Sequence, residues 1–516
     1  MFKSKFSIFS FFFLFTKSSF SQKKGIDEII NEAFQPISSF WESLVFHEFF
    51  GTGIPTIIFL LVGGAGFFTL YFGFINIRGF GISLNTVMGK YDKLDTERSN
   101  NGEVSHFQAL ATAMSGTVGN GNIAGVAIAI AIGGPGATFW MILCGILGMS
   151  SKFVECTLGV KYREIGSDGT VYGGPMYYLK KGLTEIGYEK LGKVLGITFA
   201  ILCIGASFGG GNAAQSNQAA MQLVNYFGMT GGSARTIIGI IMMIVVGIII
   251  IGGIKRIASV TEKIVPFMAG IYVLACLYII ISNFTFIDDA FGLIFSEAFS
   301  PTAGVGGFIG VLIQGFRRGA FSNEAGSGAA SIAHSAVITS YPASEGLVAL
   351  LEPFIDTVVI CTMTALVIII FNGDNTIFTY GNTVGDGTAV MIQGQQLSGS
   401  GITSAAFSKY ISFSGPFLTV AVVLFALSTM ISWSYYGLQS WMYIFGKSRV
   451  ADLTYKIIFL LFIVIGAAGD VSSVWAFSDA MILALVFPNM IGLFLLYPKV
   501  KNELTSYIDK IKSKTN

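Results

Sequence analysis

The feature that most constrains this chain is a series of apolar runs, each roughly 20 residues long, the length that crosses a bilayer as an α-helix. Of the 516 residues, 53% are hydrophobic and only 12% are charged. That is too little charge to cover the surface of a soluble protein of this length. The pattern therefore predicts an all-α polytopic membrane protein.

We predict eleven spans, with no soluble domain of any size between them. They are Ile54–Ile75, Phe107–Ile132, Ala137–Val160, Val194–Val224, Thr236–Gly253, Ile264–Ile281, Pro301–Phe316, Gly346–Phe371, Pro416–Phe445, Leu453–Ala467 and Val474–Tyr497. The transporter membrane domain would cover residues 54–498, after an extracytoplasmic segment at 23–53 and before a cytoplasmic tail at 499–516.

The first 22 residues have the order of a secretory signal peptide. Lys3 and Lys5 precede the apolar run Phe6–Phe15, and small and polar residues follow over Ser18–Gln22. A basic end, an apolar core and a small-residue site predict a cleaved signal over residues 1–22. A retained short anchor is the alternative.

The distribution of lysine and arginine predicts the orientation, because basic residues stay on the cytoplasmic side. With the mature N-terminus outside, the inner segments hold 23 lysines and arginines and the outer segments hold 4. This count places Arg317 and Arg318 at the inner end of a span. We therefore expect a multi-pass protein of the cell inner membrane with its C-terminus in the cytoplasm.

The second span contains a cluster of poor helix formers. Ala113–Gly125 reads AMSGTVGNGNIAG, with four glycines and two asparagines. Backbone groups freed inside a bilayer cost several kcal/mol each unless something satisfies them. The pattern predicts a discontinuous helix lining a binding cavity, where exposed amides meet an anion and freed carbonyls meet a cation. A purely structural kink is the alternative.

A second glycine-rich stretch, Thr302–Gly310, lies five spans later. Breaks in the first and sixth of ten core spans would occupy corresponding places in two five-helix halves. That arrangement indicates an inverted repeat with a central site. It requires Ile54–Ile75 to be an extra N-terminal span outside the repeat.

Polar side chains in two other spans are further candidates for the site. Gln215 and Gln218 are three residues apart and can share a helical face. The adjacent pair Ser428 and Thr429, one turn after the Phe425 carbonyl, could supply oxygens to a small hard cation. Hydroxyls in membrane helices also often bond only to their own helix.

At these residues the chain resembles the sodium:alanine (alanine or glycine:cation) symporter family. The resembling stretches are Ser115–Gly125 (SGTVGNGNIAG), Gly133–Gly136 (GGPG), Lys152–Leu158 (KFVECTL), Tyr172–Tyr178 (YGGPMYY), Phe321–Gly326 (FSNEAG) and Glu352–Thr357 (EPFIDT). The resemblance implies eleven spans, an inverted-repeat, leucine-transporter-like fold, and sodium-coupled uptake of alanine or glycine by alternating access.

The resemblance also implies a site at the second span. The carboxylate of the substrate would face the amides of Gly119, Asn120 and Gly121. One sodium would be held by Asn122 and the Thr117 carbonyl. Another would be held by the carbonyls of Ser115, Val118 and Phe425 together with Ser428 and Thr429. Gln215, Phe308 and Trp433 are candidates for the remaining pocket wall, with simple helix packing as the alternative.

Several carboxylates lie in or near the spans. Intramembrane carboxylates are costly and commonly functional, so Glu155, Glu352 and Asp356 are candidates for a gate or an inner network. A solvated or locally paired carboxylate near a helix end is the alternative. Glu324, in a predicted inner loop, is expected to cap a helix or serve a gate.

Other functions fit the sequence less well. A proton-coupled carrier usually needs a carboxylate or lysine at mid-membrane, and neither predicted break contains one, which favours sodium. A channel needs a continuous polar pore. An enzyme needs a catalytic or metal cluster, yet the histidines are far apart and the cysteines lack metal spacing. We therefore predict a transporter without a cofactor, whose partners are a small amino acid, sodium and membrane lipid. Nucleic acid or an obligatory protein partner is not expected, and another small amino acid as cargo stays open.

Overall fold

The structure is a computed structural model that describes residues 26–95, 102–299, 307–373, 376–385 and 387–515. The predicted signal peptide at 1–22 and residues 302–306 of the predicted second break lie outside the described residues.

The described residues are mostly helical. The first helices are α1 Ile26–Val45, α2 Thr56–Tyr71, α3 Ile75–Arg78, α4 Phe80–Val87, α5 Asp92–Asp95, α6 His106–Thr117, α7 Val126–Gly133, α8 Gly136–Lys161, α9 Pro175–Glu185, α10 Glu189–Phe208, α11 Ala214–Phe227 and α12 Ala234–Ile250. They are followed by α13 Gly253–Ser282, α14 Ile287–Phe299, α15 Gly307–Asn323, α16 Ser331–His334, α17 Pro342–Ala349, α18 Leu351–Pro353, α19 Thr362–Asn372, α20 Ser400–Tyr410, α21 Ser414–Phe445, α22 Arg449–Ala468, α23 Val471–Ala484 and α24 Val486–Thr515.

Wider π-helical turns interrupt three of these helical segments. They are Gly121–Gly125, Gly209–Ala213 and Phe354–Cys361. The chain also forms two short antiparallel hairpins that the span pattern does not predict. These pair β1 Glu164–Ile165 with β2 Val171–Tyr172, and β3 Ala389–Ile392 with β4 Gln395–Ser398.

Within the described ranges, seven helices are long and apolar enough to cross a bilayer. The segment His106–Thr117 together with Gly121–Gly133, bent by 48°, adds an eighth. Two further apolar helices, α2 and α12, are shorter, at 16 and 17 residues. The described residues therefore contain seven or eight candidate spans, and the count of eleven with an extra N-terminal span stays a prediction.

The long helices pack in two groups. In the first, α8 packs along α15 and α17, and in the second, α10 and α11 pack against α21 while α12 packs against α22. Small residues allow the close approach of α8 and α15, because a Cβ on Gly315 would overlap the backbone at Ala137. The helix α6 contacts α13 and α21, so the interrupted segment is enclosed by protein rather than lipid.

The N-terminal helix α1 is a packed part of the fold. Its Phe34 ring lies 5.1 Å from that of Phe477 on α23, and the Ser38 hydroxyl donates to the Ser473 carbonyl at 2.7 Å. On its other side Phe40 is exposed. The segment assigned to 23–53 therefore contains an amphipathic helix fixed to the last spans.

The last helix, α24, runs on through most of the predicted tail. Tyr507 is fully buried, and its ring lies 5.6 Å from that of Tyr341 at the start of α17. Residues 499–515 are thus a docked helix.

Arg317 and Arg318 do not lie with the inner loops. Arg317 pairs with Glu42 at 3.3 Å, in the segment that the predicted orientation places outside, and both arginines contact Asp479 on α23. These contacts disagree with placing the two arginines at the inner end of the span, because Glu42 belongs to the predicted outer segment. Without these two residues the number of lysines and arginines in the predicted inner segments falls from 23 to 21. The excess over the 4 in the outer segments therefore still favours the predicted orientation.

Candidate functional site

The second span is interrupted where the glycine–asparagine cluster predicts. Helix α6 ends at Thr117, the π-helical turn Gly121–Gly125 follows, and the chain re-enters α-helix as α7. The side chains of Ser115, Asn120 and Asn122 are fully buried in the protein. The prediction of a discontinuous helix facing the interior is confirmed.

Two side-chain amides satisfy the backbone groups that the break exposes. The Gly119 N–H donates to Asn122 Oδ1 at 2.8 Å, and the Asn120 N–H donates to Gln215 Oε1 at 3.0 Å. The Asn120 side chain also donates to the Gln215 carbonyl, at 3.3 Å. Gln215 therefore touches the break, and its oxygen occupies a position that the carboxylate of a ligand could take over.

A carboxylate lies directly against this break. Asn122 Nδ2 donates to Asp356 Oδ1 at 2.6 Å and to Ser322 Oγ at 3.1 Å. The hydroxyls of Ser322 and Thr357 both donate to Asp356 Oδ2 at 2.7 Å. Asp356 is fully buried on the π-helical turn Phe354–Cys361. The break segment itself contains no carboxylate, as the sequence shows, but Asp356 from a distant part of the sequence lies against it.

The residues expected to hold a second cation also come together. Ser115 Oγ donates to the Ser428 carbonyl at 2.7 Å, and Ser428 Oγ donates to the Phe425 carbonyl at 2.9 Å. Thr429 Oγ1 is buried without a hydrogen-bond partner in the described part of the chain, and a Cβ on Gly119 would overlap it. An orphaned buried hydroxyl beside freed carbonyls fits a small hard cation.

Thr117 and Val118 lie at the end of α6, between these two groups. The Thr117 hydroxyl bonds back to the carbonyls of Ala113 and Met114 at 3.4 Å, so only its carbonyl is a candidate ligand. Val118 is fully buried. Gly121 faces α15, where a Cβ on it would lie 3.4 Å from the Phe321 ring.

Of the predicted second break, the structure describes residues 307–310 and shows them as helix. Gly307–Asn323 forms helix α15, and the backbone leaves the helix at Glu324, with φ of 54°, followed by Gly326 and Gly328 with φ of 89° and 86°. Residues 307–310 of the predicted break therefore begin the helix. The interruption that the structure describes begins within the Phe321–Gly326 motif, and Ser322 beside it bonds Asn122.

Trp433 joins this second break to α21. Its indole Nε1 donates to Glu324 Oε1 at 2.9 Å, and both side chains are buried. Glu324 therefore lies in the protein interior rather than in an inner loop.

Phe308 does not reach the site: its side chain is 39% exposed, and its ring packs 5.7 Å from Trp140.

The remaining buried carboxylates belong to a charged network. Lys152 Nζ lies 3.0 Å from Glu352 and 4.0 Å from Glu155, and all three side chains are fully buried. His334 contacts Glu345 at 2.5 Å and Glu352 at 3.5 Å. Of the alternative account, a solvated or locally paired carboxylate, the structure shows local pairing for Glu155 and Glu352, and both side chains are buried.

The sodium:alanine symporter family matches residues 39–516 of the chain. The sodium/alanine symporter AgcS of Methanococcus maripaludis is 39% identical over 454 residues, which cover 88% of this chain and 94% of AgcS. The probable sodium/glutamine symporter GlnT of Bacillus subtilis is 36% identical over 460 residues, covering 89% of this chain and 88% of GlnT.

The crystal structure of MhsT in complex with L-phenylalanine aligns with a TM-score of 0.51 at 16% identity, over 78% of this chain and 99% of MhsT. At that identity the likeness concerns the fold alone, which is leucine-transporter-like. The family match and the interrupted, buried helix agree: the chain belongs to the sodium:alanine symporter family.

Proposed function

We propose that this protein uses sodium to carry a small neutral amino acid, alanine or glycine, into the cell. Membership of the family supports cation-coupled amino-acid symport as the general activity. The observation that carries the proposal is the interrupted helix α6–α7, whose exposed amides and carbonyls face buried oxygen ligands rather than lipid.

The first proposed sodium site combines predicted and additional residues. Asn122 and the Thr117 carbonyl were expected to hold this ion, and the contacts of Asn122 add Asp356 and Ser322 to the ligand set. Hard cations prefer oxygen ligands, and a carboxylate supplies the compensating charge. On entry of the ion, the Asn122 side chain would give up at least one of its present hydrogen bonds.

The second proposed sodium site consists of the carbonyls of Ser115, Val118 and Phe425 with the hydroxyls of Ser428 and Thr429. The unpaired Thr429 hydroxyl supports it. Because these ligands lie on both α6 and α21, an ion there would hold these two helices together. Binding and release of that ion would thereby favour one side of an alternating-access cycle.

The substrate would bind with its carboxylate at the amides of Gly119, Asn120 and Gly121. Gln215 now accepts the Asn120 N–H, and a bound carboxylate would replace it there. Trp433, fully buried against α10–α11, would close the space beside the break. The close packing favours a small side chain on the substrate.

The same arrangement admits a second candidate, a carrier of this fold coupled to protons. The observation that favours it is the buried Asp356, a group that could bind a proton in place of sodium. The transported amino acid has an alternative too, because GlnT is named a probable sodium/glutamine symporter.

The proposal also includes the orientation of the protein in the cell inner membrane. The mature N-terminus would lie outside, and the C-terminus would lie in the cytoplasm.

Uptake by the purified protein in liposomes tests the proposal. We expect labelled alanine to accumulate when sodium is imposed outside, and not when potassium or a proton gradient replaces it. Uptake that follows the proton gradient without sodium would reject sodium coupling. Competition by unlabelled glycine, D-alanine and glutamine in the same assay would rank the substrates, and accumulation of labelled glutamine without accumulation of labelled alanine or glycine would reject alanine and glycine.

A further inference from the structure

A cavity of about 390 Å³ lies away from the interrupted helix, between α9 and the C-terminal end of α21. Its lining includes Glu164, Tyr177, Lys180, Lys181, Tyr443 and Lys447. None of these residues contributes to the proposed transport sites.

The charges around this cavity do not balance. Glu164 is shared between two amines, at 3.2 Å from Lys181 Nζ and 3.7 Å from Lys447 Nζ. Lys180 forms no ion pair with any described residue. Three amines therefore face one carboxylate, and the excess positive charge is suited to an anion. The existing pairs are about 40% exposed, so they are weak enough for a ligand to rearrange them.

The rest of the lining suits a phosphate at the membrane boundary. The Tyr177 and Tyr443 side chains line the cavity, and their rings lie 5.3 Å apart. Phe445, at the end of α21, is 59% exposed. Tyrosines are enriched at the depth of lipid headgroups. The predicted orientation places this end of α21 on the cytoplasmic side, where basic pockets between spans bind anionic headgroups.

We propose that this cavity binds the phosphate of an anionic phospholipid such as phosphatidylglycerol. Lys180, Lys181 and Lys447 neutralise the phosphate, and the tyrosine hydroxyls donate hydrogen bonds to it. Met442 in the lining, together with the exposed Phe445 that precedes the lining residue Gly446, provides apolar surface for an acyl chain, which distinguishes a lipid from a soluble phosphate. A headgroup in this position links the α9 segment to α21.

Lipid retention measured on the full-length protein tests this assignment. The variant Lys180→Gln/Lys447→Gln removes two charges and leaves the Lys181–Glu164 pair in place. Native mass spectrometry after titration with phosphatidylglycerol measures the affinity of the variant for this lipid. We expect that affinity to fall about 25-fold, because each lysine near a membrane surface contributes about fivefold. The variant Lys180→Arg/Lys447→Arg keeps the charges and should retain binding.

The matched control is Lys190→Gln/Lys193→Gln, which removes the same charge from exposed positions at the start of α10. An equal loss of binding in this control would reject the cavity as the site, because a general surface charge would then explain retention. Displacement of the lipid by millimolar inorganic phosphate would also overturn the lipid assignment in favour of a soluble anion. Thermal unfolding of each variant separates loss of the site from loss of the fold.

Discussion

Asn122 Nδ2 lies 2.6 Å from Asp356 Oδ1, and the oxygen of the same Asn122 amide accepts the Gly119 N–H at 2.8 Å. One side chain therefore connects the broken backbone of the second span to a buried carboxylate. An ion that binds near this amide affects both the shape of the break and the charge of Asp356. In the proposed arrangement, the cation and the substrate would therefore bind to adjacent atoms.

We expect Asn122→Ala to weaken sodium dependence more than it weakens folding. The variant removes an oxygen from the proposed site, so the sodium concentration for half-maximal uptake should rise about tenfold, the effect of one lost charge-assisted interaction. The thermal unfolding midpoint in detergent should fall by only a few degrees. The exposed Asn225, at the end of α11, offers a control as Asn225→Ala. An unchanged sodium response in Asn122→Ala would remove this residue from the site.

Replacing Asp356 by asparagine tests whether its carboxylate binds sodium or a proton. Asp356→Asn keeps the size of the side chain and removes its charge, so sodium affinity should fall about 10- to 100-fold. The matched control is Asp452→Asn, which makes the same chemical change in an i,i+4 pair with Lys456. If the variant instead loses its response to a proton gradient while its sodium dependence is unchanged, Asp356 binds a proton and sodium coupling through it is wrong.

The interrupted helix could be predicted from the sequence because its signal is local. Glycines and asparagines between Ser115 and Gly125 are poor helix formers wherever the chain goes, and the structure places the break there. The partners of the break could not be predicted in the same way. Asp356 and Ser322 contact Asn122 across more than 190 residues of sequence, and only the packing of the spans brings them together.

The interruption at Glu324 was not predicted for a related reason. Glycine content alone pointed to Thr302–Gly310, yet glycines at a helix interface also serve close packing. The actual break at Glu324 is marked by the residues that follow it, Gly326 and Gly328, whose positive φ angles favour glycine. The two hairpins and α20 were not predicted because their segments are short and carry no span-length periodicity.

Gly119 is expected to tolerate no side chain. A Cβ at this position would overlap Thr429 Oγ1 and lie 3.1 Å from Gln215 Oε1, so Gly119→Ala would push α6 away from α21. Uptake should be lost. Gly63→Ala is the matched control, because nothing lies within 4 Å of a Cβ there, and its uptake should equal that of the unmodified protein. Normal transport by Gly119→Ala would show that close contact with α21 is not required.

The ion pair between Arg318 and Asp479 should contribute to stability only as a pair. Arg318 Nη1 lies 3.2 Å from Asp479, and its guanidinium lies 5.1 Å from the centre of the Trp475 ring. Because both side chains are buried, Asp479→Asn would leave the charge of Arg318 uncompensated inside the protein. The free energy of unfolding should fall by about 3–5 kcal/mol. Thermal unfolding in detergent should therefore show a clear loss of stability.

The double variant Arg318→Met/Asp479→Leu removes both charges and should recover most of the stability lost in Asp479→Asn, because apolar side chains can replace a buried pair. Arg317→Gln is the control: this more exposed neighbour also contacts Asp479, at 2.8 Å, and its loss should cost about 1 kcal/mol or less. A double variant as unstable as Asp479→Asn would mean that the instability does not come from the unpaired Arg318 charge, and that Asp479 stabilises the protein through its other contact, to Arg317.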